Sequence, residues 1–250
     1  PRSQVRALAT SVLGLFVFYV AHDALQERAF RRPGFQFGWF MTACEIGTMA
    51  ACALIWERSP GGSAKGHEPG GDAGPRRKYL ALLVLTIAVS QGTGSTALKH
   101  VNYPVKVAFK SCKLVPTMVF SQCLNGAAYG AAEYVAALLM CASLALLGLA
   151  DARAGAAPNQ ALGFVLLGVA VCSDAFVPNL QQKLLRGLKM PIGEMVVVSN
   201  CGSFALVLAY VCATGELAAA TAYLRTRPHV VGLLAAQALA GYAGLRCYLS

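Results

Sequence analysis

Residues 79–98 read YLALLVLTIAVSQGTGSTAL and contain no charged side chain. A helix of about 20 apolar residues is long enough to cross the hydrocarbon core of a bilayer. Residues 134–150 and 195–215 are likewise free of charge, and none of the three stretches shows the alternating polar face of a membrane barrel strand. These stretches therefore predict an all-α membrane protein.

The composition of the whole chain supports this fold class. Of its 250 residues, 56% are hydrophobic and only 13% are charged, and the mean hydropathy is +0.55. A soluble domain of this length exposes too much surface to be covered by so few charges. The net charge is +10, but the basic residues are scattered and form no patch that could follow a phosphate backbone. We therefore expect a polytopic membrane bundle whose partner is the lipid bilayer and not a nucleic acid.

Eight segments are long and apolar enough to be spans, and residues 1–250 together form one transmembrane domain. The predicted spans are residues 7–25, 37–56, 79–98, 104–125, 134–150, 161–180, 195–215 and 229–250. Residues 57–78 are rich in Gly and Pro and carry almost no apolar side chain, which predicts a flexible loop. The loop ends in the basic run 76–78, and basic residues outside the spans are slightly more numerous on the side of the N-terminus. Since cytoplasmic loops are enriched in Lys and Arg, we expect this side and the 57–78 loop to be cytosolic.

Sequence motifs of enzymes and of metal sites are missing from the chain. It has no GxSxG, P-loop or HExxH motif. The nine cysteines contain no CxxC pair, and the four histidines are dispersed. Most of the cysteines lie in apolar stretches, where a thiol behaves as a small hydrophobic group. We therefore expect neither a catalytic activity nor a metal or other cofactor.

The fourth span differs from the others because it carries three lysines. Lys106, Lys110 and Lys113 have the spacing i, i+4 and i+7, which places them on one stripe of a continuous helix. Ionisable groups inside a membrane are costly and mark functional sites. Carboxylates of other spans, such as Glu45 and Asp174, could neutralise the lysines in a structural network. A ligand with several phosphate or sulfate groups could do the same, which predicts a carrier of an anionic solute.

Two prolines flank the lysines of the fourth span. Pro104 suits the first turn of a helix, whereas Pro116 is expected to break or kink the helix beyond the lysines. Interrupted helices in the middle of the membrane are a recurring feature of transporter sites. The prolines are therefore compatible with a binding site in this span.

The stretch NYPVKVAFKSCKLVPTM, residues 102–118, resembles the fourth-helix signature of the nucleotide-sugar transporter family, which belongs to the drug/metabolite transporter superfamily. It is most similar to the branch that carries 3′-phosphoadenosine 5′-phosphosulfate (PAPS). Three further blocks match this branch. They are residues 25–27, a run that includes Asp151, Pro158, Asn159 and residues 174–183, and residues 194–196. The resemblance extends over nearly the whole chain.

The resemblance implies a fold of ten helices in two inverted five-helix repeats, so that this chain would be truncated before the last two helices. It also implies antiport of PAPS from the cytosol into the Golgi lumen against adenosine 3′,5′-bisphosphate. Two alternatives remain open, a nucleotide-sugar transporter of the UDP-galactose or UDP-glucose type and a non-transporting membrane assembly protein. The endoplasmic reticulum membrane is the alternative location, and the resemblance also allows a homodimer.

The lysine pattern and the resemblance together provide a set of candidate substrate-binding residues. The lysines come from their spacing, and the other residues come from the matching blocks and the seventh span. The set comprises Lys106, Lys110, Lys113, Asn102, Tyr103, Gln26, Glu27, Asp174, Asn179, Gln181, Glu194, Ser199 and Asn200.

Overall fold

The structure is a computed structural model, and it describes residues 2–58, 73–154 and 160–249. Within these ranges the secondary structure is helical and contains no strand, which confirms the predicted all-α class. The α-helices are α1 (Arg2–Phe30), α2 (Gly38–Arg58), α3 (Ala73–Ala97), α4 (Tyr103–Ser111), α5 (Leu114–Asn125), α6 (Ala131–Ala154), α7 (Gln160–Gln182), α8 (Ile192–Ala213), α9 (Glu216–Thr226) and α10 (His229–Leu249), and a π-helical turn (Lys183–Gly187) follows α7.

Six segments of the described chain are long and apolar enough to cross a membrane. They are Ala9–Phe30 in α1, Gly38–Ile55 in α2, Gly74–Ala97 in α3, Ala161–Gly187 in α7 and the turn after it, Ile192–Ala213 in α8, and His229–Cys247 in α10. The predicted fourth span is divided between α4 and α5, and the predicted fifth span lies in α6, where Ala131–Ser143 forms a shorter apolar helix. The count of eight spans therefore stays a prediction, and the short helix α9 was not predicted.

The predicted loop over residues 57–78 is shorter at both ends than expected. Helix α2 continues to Arg58, and α3 begins at Ala73, so that the basic residues 76–78 lie on α3. Pro75 does not prevent this, because a proline in the first turn of a helix removes an N–H that has no intrahelical partner. Residues 59–72 of the predicted loop lie outside the described residues.

The helices are held together where small side chains allow close approach. Helix α3 packs along α7 and against α8, while α10 packs along α1 and against α2. A Cβ atom on Gly92 of α3 would lie 2.0 Å from the ring of Trp39, and one on Gly202 of α8 would lie 2.8 Å from Val84. The Ser203 hydroxyl also donates a hydrogen bond of 2.9 Å to the Val84 carbonyl. Small residues and hydroxyl donors of this kind typically join helices in a membrane.

Helix α9 fixes the connection between α1 and α2. The Phe40 backbone N–H near the start of α2 donates to the Glu216 carboxylate at 3.1 Å. The Tyr223 hydroxyl donates to the Pro33 carbonyl at 3.1 Å, and the Arg227 guanidinium donates to the same oxygen. Helix α9, which is too short to span the bundle, therefore holds the α1–α2 connection and the start of α2 in place.

Candidate anion-binding site

The segment with the three lysines is two helices rather than one. Helix α4 ends at Ser111 and α5 begins at Leu114, so that Lys113 is the N-cap residue of α5. Pro116 explains the break, because it has no N–H to donate to the carbonyl of Cys112 four residues earlier. The Cys141 thiol of α6 approaches that carbonyl oxygen at 3.8 Å as a donor. The prediction of one continuous lysine stripe is therefore wrong, and the break lies between Lys110 and Lys113 instead of beyond them.

Lys106 is the most deeply buried of the three lysines. Its side chain lies on α4, only 5% of the residue is exposed, and Nζ donates a hydrogen bond of 2.6 Å to Oε1 of Gln26 on α1. Gln26 is itself 3% exposed. Removing an ammonium group from water costs several kcal/mol, and a neutral amide oxygen compensates only part of this cost. The contact with Gln26 is therefore a hydrogen bond from a buried ammonium group to a neutral partner.

Lys113 pairs with a carboxylate on α7. Its Nζ lies 3.4 Å from Oδ2 of Asp174, and the Ser90 hydroxyl on α3 donates to Oδ1 of the same carboxylate at 3.2 Å. The Lys113 side chain is half exposed and that of Asp174 is mostly buried. Pro178 inside α7 removes the N–H that would bond the Asp174 carbonyl. A proline thus lies close to the charged residue in both chain segments of this pair, although α7 continues past Pro178 to Gln182.

Lys110 lies on α4 between the two paired lysines. It is half-buried, and its side chain makes no hydrogen bond or ion pair with any residue that the structure describes. Its charge interacts electrostatically with Lys106 and with Glu45. Among the lysines of this site, Lys110 is therefore the one whose donors remain available to a ligand.

Asn179 connects α5 to α7 behind the lysines. The residue is 2% exposed, and its amide nitrogen donates to the Thr117 carbonyl at 3.1 Å and to the Ala175 carbonyl at 3.0 Å. Its amide oxygen accepts a hydrogen bond of 3.1 Å from Asn125. Because its donors are already used, Asn179 is placed to position α5 rather than to contact a substrate.

Three predicted site residues lie apart from the lysines. Glu27 forms an ion pair with Arg31 one turn further along α1, and the Arg31 side chain is exposed. Glu194, near the start of α8, pairs with Arg76 of α3. Gln181 lines a separate cavity of about 590 Å³ between α7 and α8. The matching sequence blocks therefore include residues with different structural roles.

The remaining candidates lie near helix ends or bond within their own helix, and the Asn102 carbonyl accepts a hydrogen bond of 3.2 Å from the Lys106 backbone N–H. Asn102 is exposed and is the N-cap residue of α4, and Tyr103 is the first residue of that helix. Ser199 and Asn200 on α8 both donate hydrogen bonds to the Val196 carbonyl of their own helix, at 3.3 and 2.8 Å. The hydrogen bonds of Ser199 and Asn200 therefore stay within α8 and do not connect these residues to the lysines.

A buried polar cluster next to the lysines was missed by the sequence analysis. His22 of α1 lies between two carboxylates, with Nδ1 3.0 Å from Asp23 and Nε2 3.1 Å from Glu45 of α2. The Gln237 amide of α10 donates to the other oxygen of Glu45 at 3.3 Å. One signal was present in the sequence, because His22 and Gln26 have the spacing i, i+4 and share one face of α1. Sequence reasoning identified Glu45 as an embedded carboxylate that could neutralise the lysines, but it did not identify His22 or Gln237 as its partners.

The chain is similar in sequence to known membrane transporters. The profile of the UAA transporter family matches residues 7–249. A protein of Drosophila melanogaster named adenosine 3′-phospho 5′-phosphosulfate transporter 2 is 33% identical over 248 residues, which cover 96% of this chain and 62% of that protein. Proteins of the same name from Homo sapiens and Mus musculus are 32% and 31% identical, covering 96% and 99% of this chain and 58% and 65% of their own lengths.

The family resemblance of the sequence is thereby confirmed, including its similarity to the PAPS carriers. The chain spans less than two thirds of the length of the Drosophila and human relatives. Its apolar helices and the family match together establish a multi-pass membrane protein. The chain belongs to the UAA transporter family, which is a family of transporters and not of enzymes.

Proposed function

We propose that this protein carries PAPS from the cytosol into the Golgi lumen in exchange for adenosine 3′,5′-bisphosphate. The names of the relatives from fly, human and mouse support the choice of substrate. PAPS presents a sulfate and several phosphate oxygens, and ammonium groups are suitable partners for such anions. Location in the Golgi membrane follows from the same resemblance.

The observation that carries the proposal is the free ammonium group of Lys110 next to buried Lys106. The two side chains are one helical turn apart on α4, and their like charges repel each other. Such a repulsion is screened less in the interior of a membrane protein than in water. A polyanion between α1, α4 and α7 would relieve this repulsion and would satisfy the donors of Lys110.

The lysines have different roles in the proposed site. Lys110 binds the anion directly, and Lys106 exchanges its contact with Gln26 for a contact with the ligand. Lys113 is already paired with Asp174, so that it contributes less charge to the ligand and more to the position of α5. Asn179 supports that position through its hydrogen bonds to α5.

Exchange follows from the electrostatics of an empty site. If the carrier reoriented without an anion, the charge of the two lysines of α4 would be only partly compensated inside the membrane, which is unfavourable. A returning nucleotide with comparable charge keeps them neutralised in both directions. The ligand biases the conformational equilibrium only through its different affinity for the two states.

Uptake by proteoliposomes that contain the full-length protein tests the proposal. Labelled PAPS is offered to empty vesicles and to vesicles preloaded with adenosine 3′,5′-bisphosphate, and UDP-galactose and UDP-glucose are offered in parallel. We expect several-fold faster PAPS entry into the preloaded vesicles. Preference for a UDP-sugar would support a nucleotide-sugar transporter instead, and uptake of none of these solutes would support an assembly role.

The orientation of the chain is part of the proposal. We place the N-terminus and residues 57–78 in the cytosol, because basic residues are enriched there. Cysteines introduced at Gly62 and Gly187 should then react with an impermeant reagent from the cytosolic face. Cys123, Cys172 and Cys212 are exposed and have to be replaced first. Labelling of either introduced cysteine from the lumen would contradict this orientation.

A further inference from the structure

The geometry around His22 fits the protonated, cationic form of its ring. Each of its ring nitrogens lies within hydrogen-bond distance of a carboxylate oxygen, at 3.0 Å for Asp23 and 3.1 Å for Glu45. A neutral imidazole has one N–H and can donate to only one of them, whereas the imidazolium donates to both. In the protonated form His22 places one positive charge between the buried Glu45 and the half-exposed Asp23, and the Gln237 amide nitrogen also lies 3.3 Å from Nε2.

Glu45 is held in place from two sides. It is 6% exposed, and its two oxygens accept hydrogen bonds from His22 of α1 and from Gln237 of α10. Helix α10 packs against both α1 and α2, so that the three side chains lie at one helix junction. A carboxylate fixed in this way cannot reorient freely, and its charge acts from a constant position.

The cluster and the lysines are arranged along the same face of α1. His22 binds Glu45, and Gln26, one turn further along at a rise of about 5.4 Å per turn, binds Lys106. The charge of Glu45 consequently interacts with both Lys106 and Lys110. Asp23 and Asp174 also act on Lys106, but Asp174 is bonded to Lys113 and Asp23 to His22.

We propose that Glu45 is the internal counter-ion of Lys106 and Lys110. The positive charge of His22 offsets part of the negative charge of Glu45 and so reduces its attraction for the two lysines. In the absence of a ligand, Glu45 compensates part of the charge of the lysine pair. A bound anion takes over this role, so that Glu45 and the ligand act in opposition. The proposal rests on the proposed function of this site in anion binding, and it makes Glu45 and His22 positioning residues that determine the affinity of the site.

The two residues then have opposite effects on anion binding. Glu45→Gln removes a negative charge next to the lysines and should tighten binding by on the order of tenfold. His22→Gln removes the cation that offsets Glu45 and should weaken binding by a similar factor. A cluster with only a structural role would instead weaken binding in both variants, because each loses buried hydrogen bonds.

Isothermal titration of the purified full-length protein with adenosine 3′,5′-bisphosphate measures these changes. Glu133→Gln is the matched control, because Glu133 is an exposed carboxylate at the start of α6 and its loss should leave the affinity unchanged. A melting curve of each variant without ligand verifies that it is folded. High salt should reduce the difference between the two variants by screening.

Gln237→Lys provides an independent test should Glu45→Gln fail to fold. An ammonium group at position 237 would neutralise Glu45 directly and should tighten anion binding, as Glu45→Gln does. Weaker or unchanged binding in both His22→Gln and Gln237→Lys would overturn the role of Glu45 while leaving the anion site intact. No binding by the wild-type protein would overturn the proposed function and this inference together.

Discussion

Helix α8 and the pair α4–α5 represent two ways of placing a chain in a membrane. Helix α8 is continuous over Ile192–Ala213, carries its one acidic residue in the first turn, and buries Gly193, Ser199 and Ser203 among its small side chains. The α4–α5 segment is broken, carries three lysines, and directs its polar groups to other helices. Composition accounts for the first, whereas the second depends on partners elsewhere in the chain.

The partners of the broken segment come from three different helices. Lys106 contacts Gln26 of α1, the free Cys112 carbonyl contacts α6, and Lys113 contacts Asp174 of α7. By contrast, Ser199 and Asn200 of α8 bond their own helix. Helix α8 therefore combines bonds within the helix with contacts to α3 through Ser203 and Glu194, whereas the polar contacts of the broken segment extend to three other helices.

The largest effect is expected from the site helix. Lys110→Gln removes the ammonium group that we propose to bind the anion, and loss of one partner from a buried charge contact lowers binding by about 100-fold or more. PAPS uptake by proteoliposomes and nucleotide affinity should fall together, with the melting temperature nearly unchanged. Lys78→Gln is the control, because Lys78 is exposed on α3. Normal uptake by Lys110→Gln would remove Lys110 from the site.

The scaffold should respond in stability instead of affinity. Gly92→Ala places a methyl group against the ring of Trp39, where a Cβ would lie at 2.0 Å, and overpacking of this kind destabilises by about 1–3 kcal/mol. A thermal melt of the purified protein should show the loss. Gly232→Ala on α10 has no atom within 4 Å of the new Cβ and should be neutral or slightly stabilising. Equal melting of the two variants would contradict the close packing of α2 and α3.

A smaller effect is expected where scaffold and site meet. Asn179→Ala removes the side-chain oxygen that accepts from the Asn125 amide and the donor to the Thr117 carbonyl, at a cost of about 1–3 kcal/mol. Both the melting temperature and the rate of uptake should decrease, the latter less than in Lys110→Gln. Asn200→Ala is the comparison, since that amide bonds only the Val196 carbonyl of its own helix among the contacts described. A larger decrease in affinity than for Lys110→Gln would make Asn179 a ligand contact.

The smallest effect concerns the helix break itself. Cys141→Ala removes a thiol that lies 3.8 Å from the Cys112 carbonyl, and a weak donor at this distance contributes about 0.5 kcal/mol or less. Melting should change by no more than a degree or two, and uptake should stay near the wild-type rate. A strong loss of uptake would show that this contact holds the lysines in register.

Hydropathy predicts the scaffold well because the bilayer imposes one length and one composition on every span. Helices such as α2, α3 and α8 follow from it directly. The surroundings of the helix break do not follow from hydropathy. Pro116 leaves the Cys112 carbonyl free, and the partner of that carbonyl is a thiol 29 residues away. The contact of Glu45 with Gln237 joins residues 192 positions apart, which no local pattern indicates. For Glu27 the sequence suggested a role that the structure does not explain. The residue lies within a matching block and was a candidate for substrate binding, but it pairs with Arg31 one turn further along the chain.

The charges of α4 and α5 also bear on the order in which the chain can enter the membrane. A lysine at the centre of a span raises the apparent free energy of insertion by about 2.5–3.5 kcal/mol, so that this segment is poorly suited to partition into lipid alone. Gln26 precedes Lys106 by 80 residues and is already synthesised, but Asp174 follows Lys113 by 61 residues. The segment should therefore complete its insertion only after α7 has left the ribosome, and nascent chains stopped before residue 174 should leave Lys110 accessible to an impermeant amine reagent.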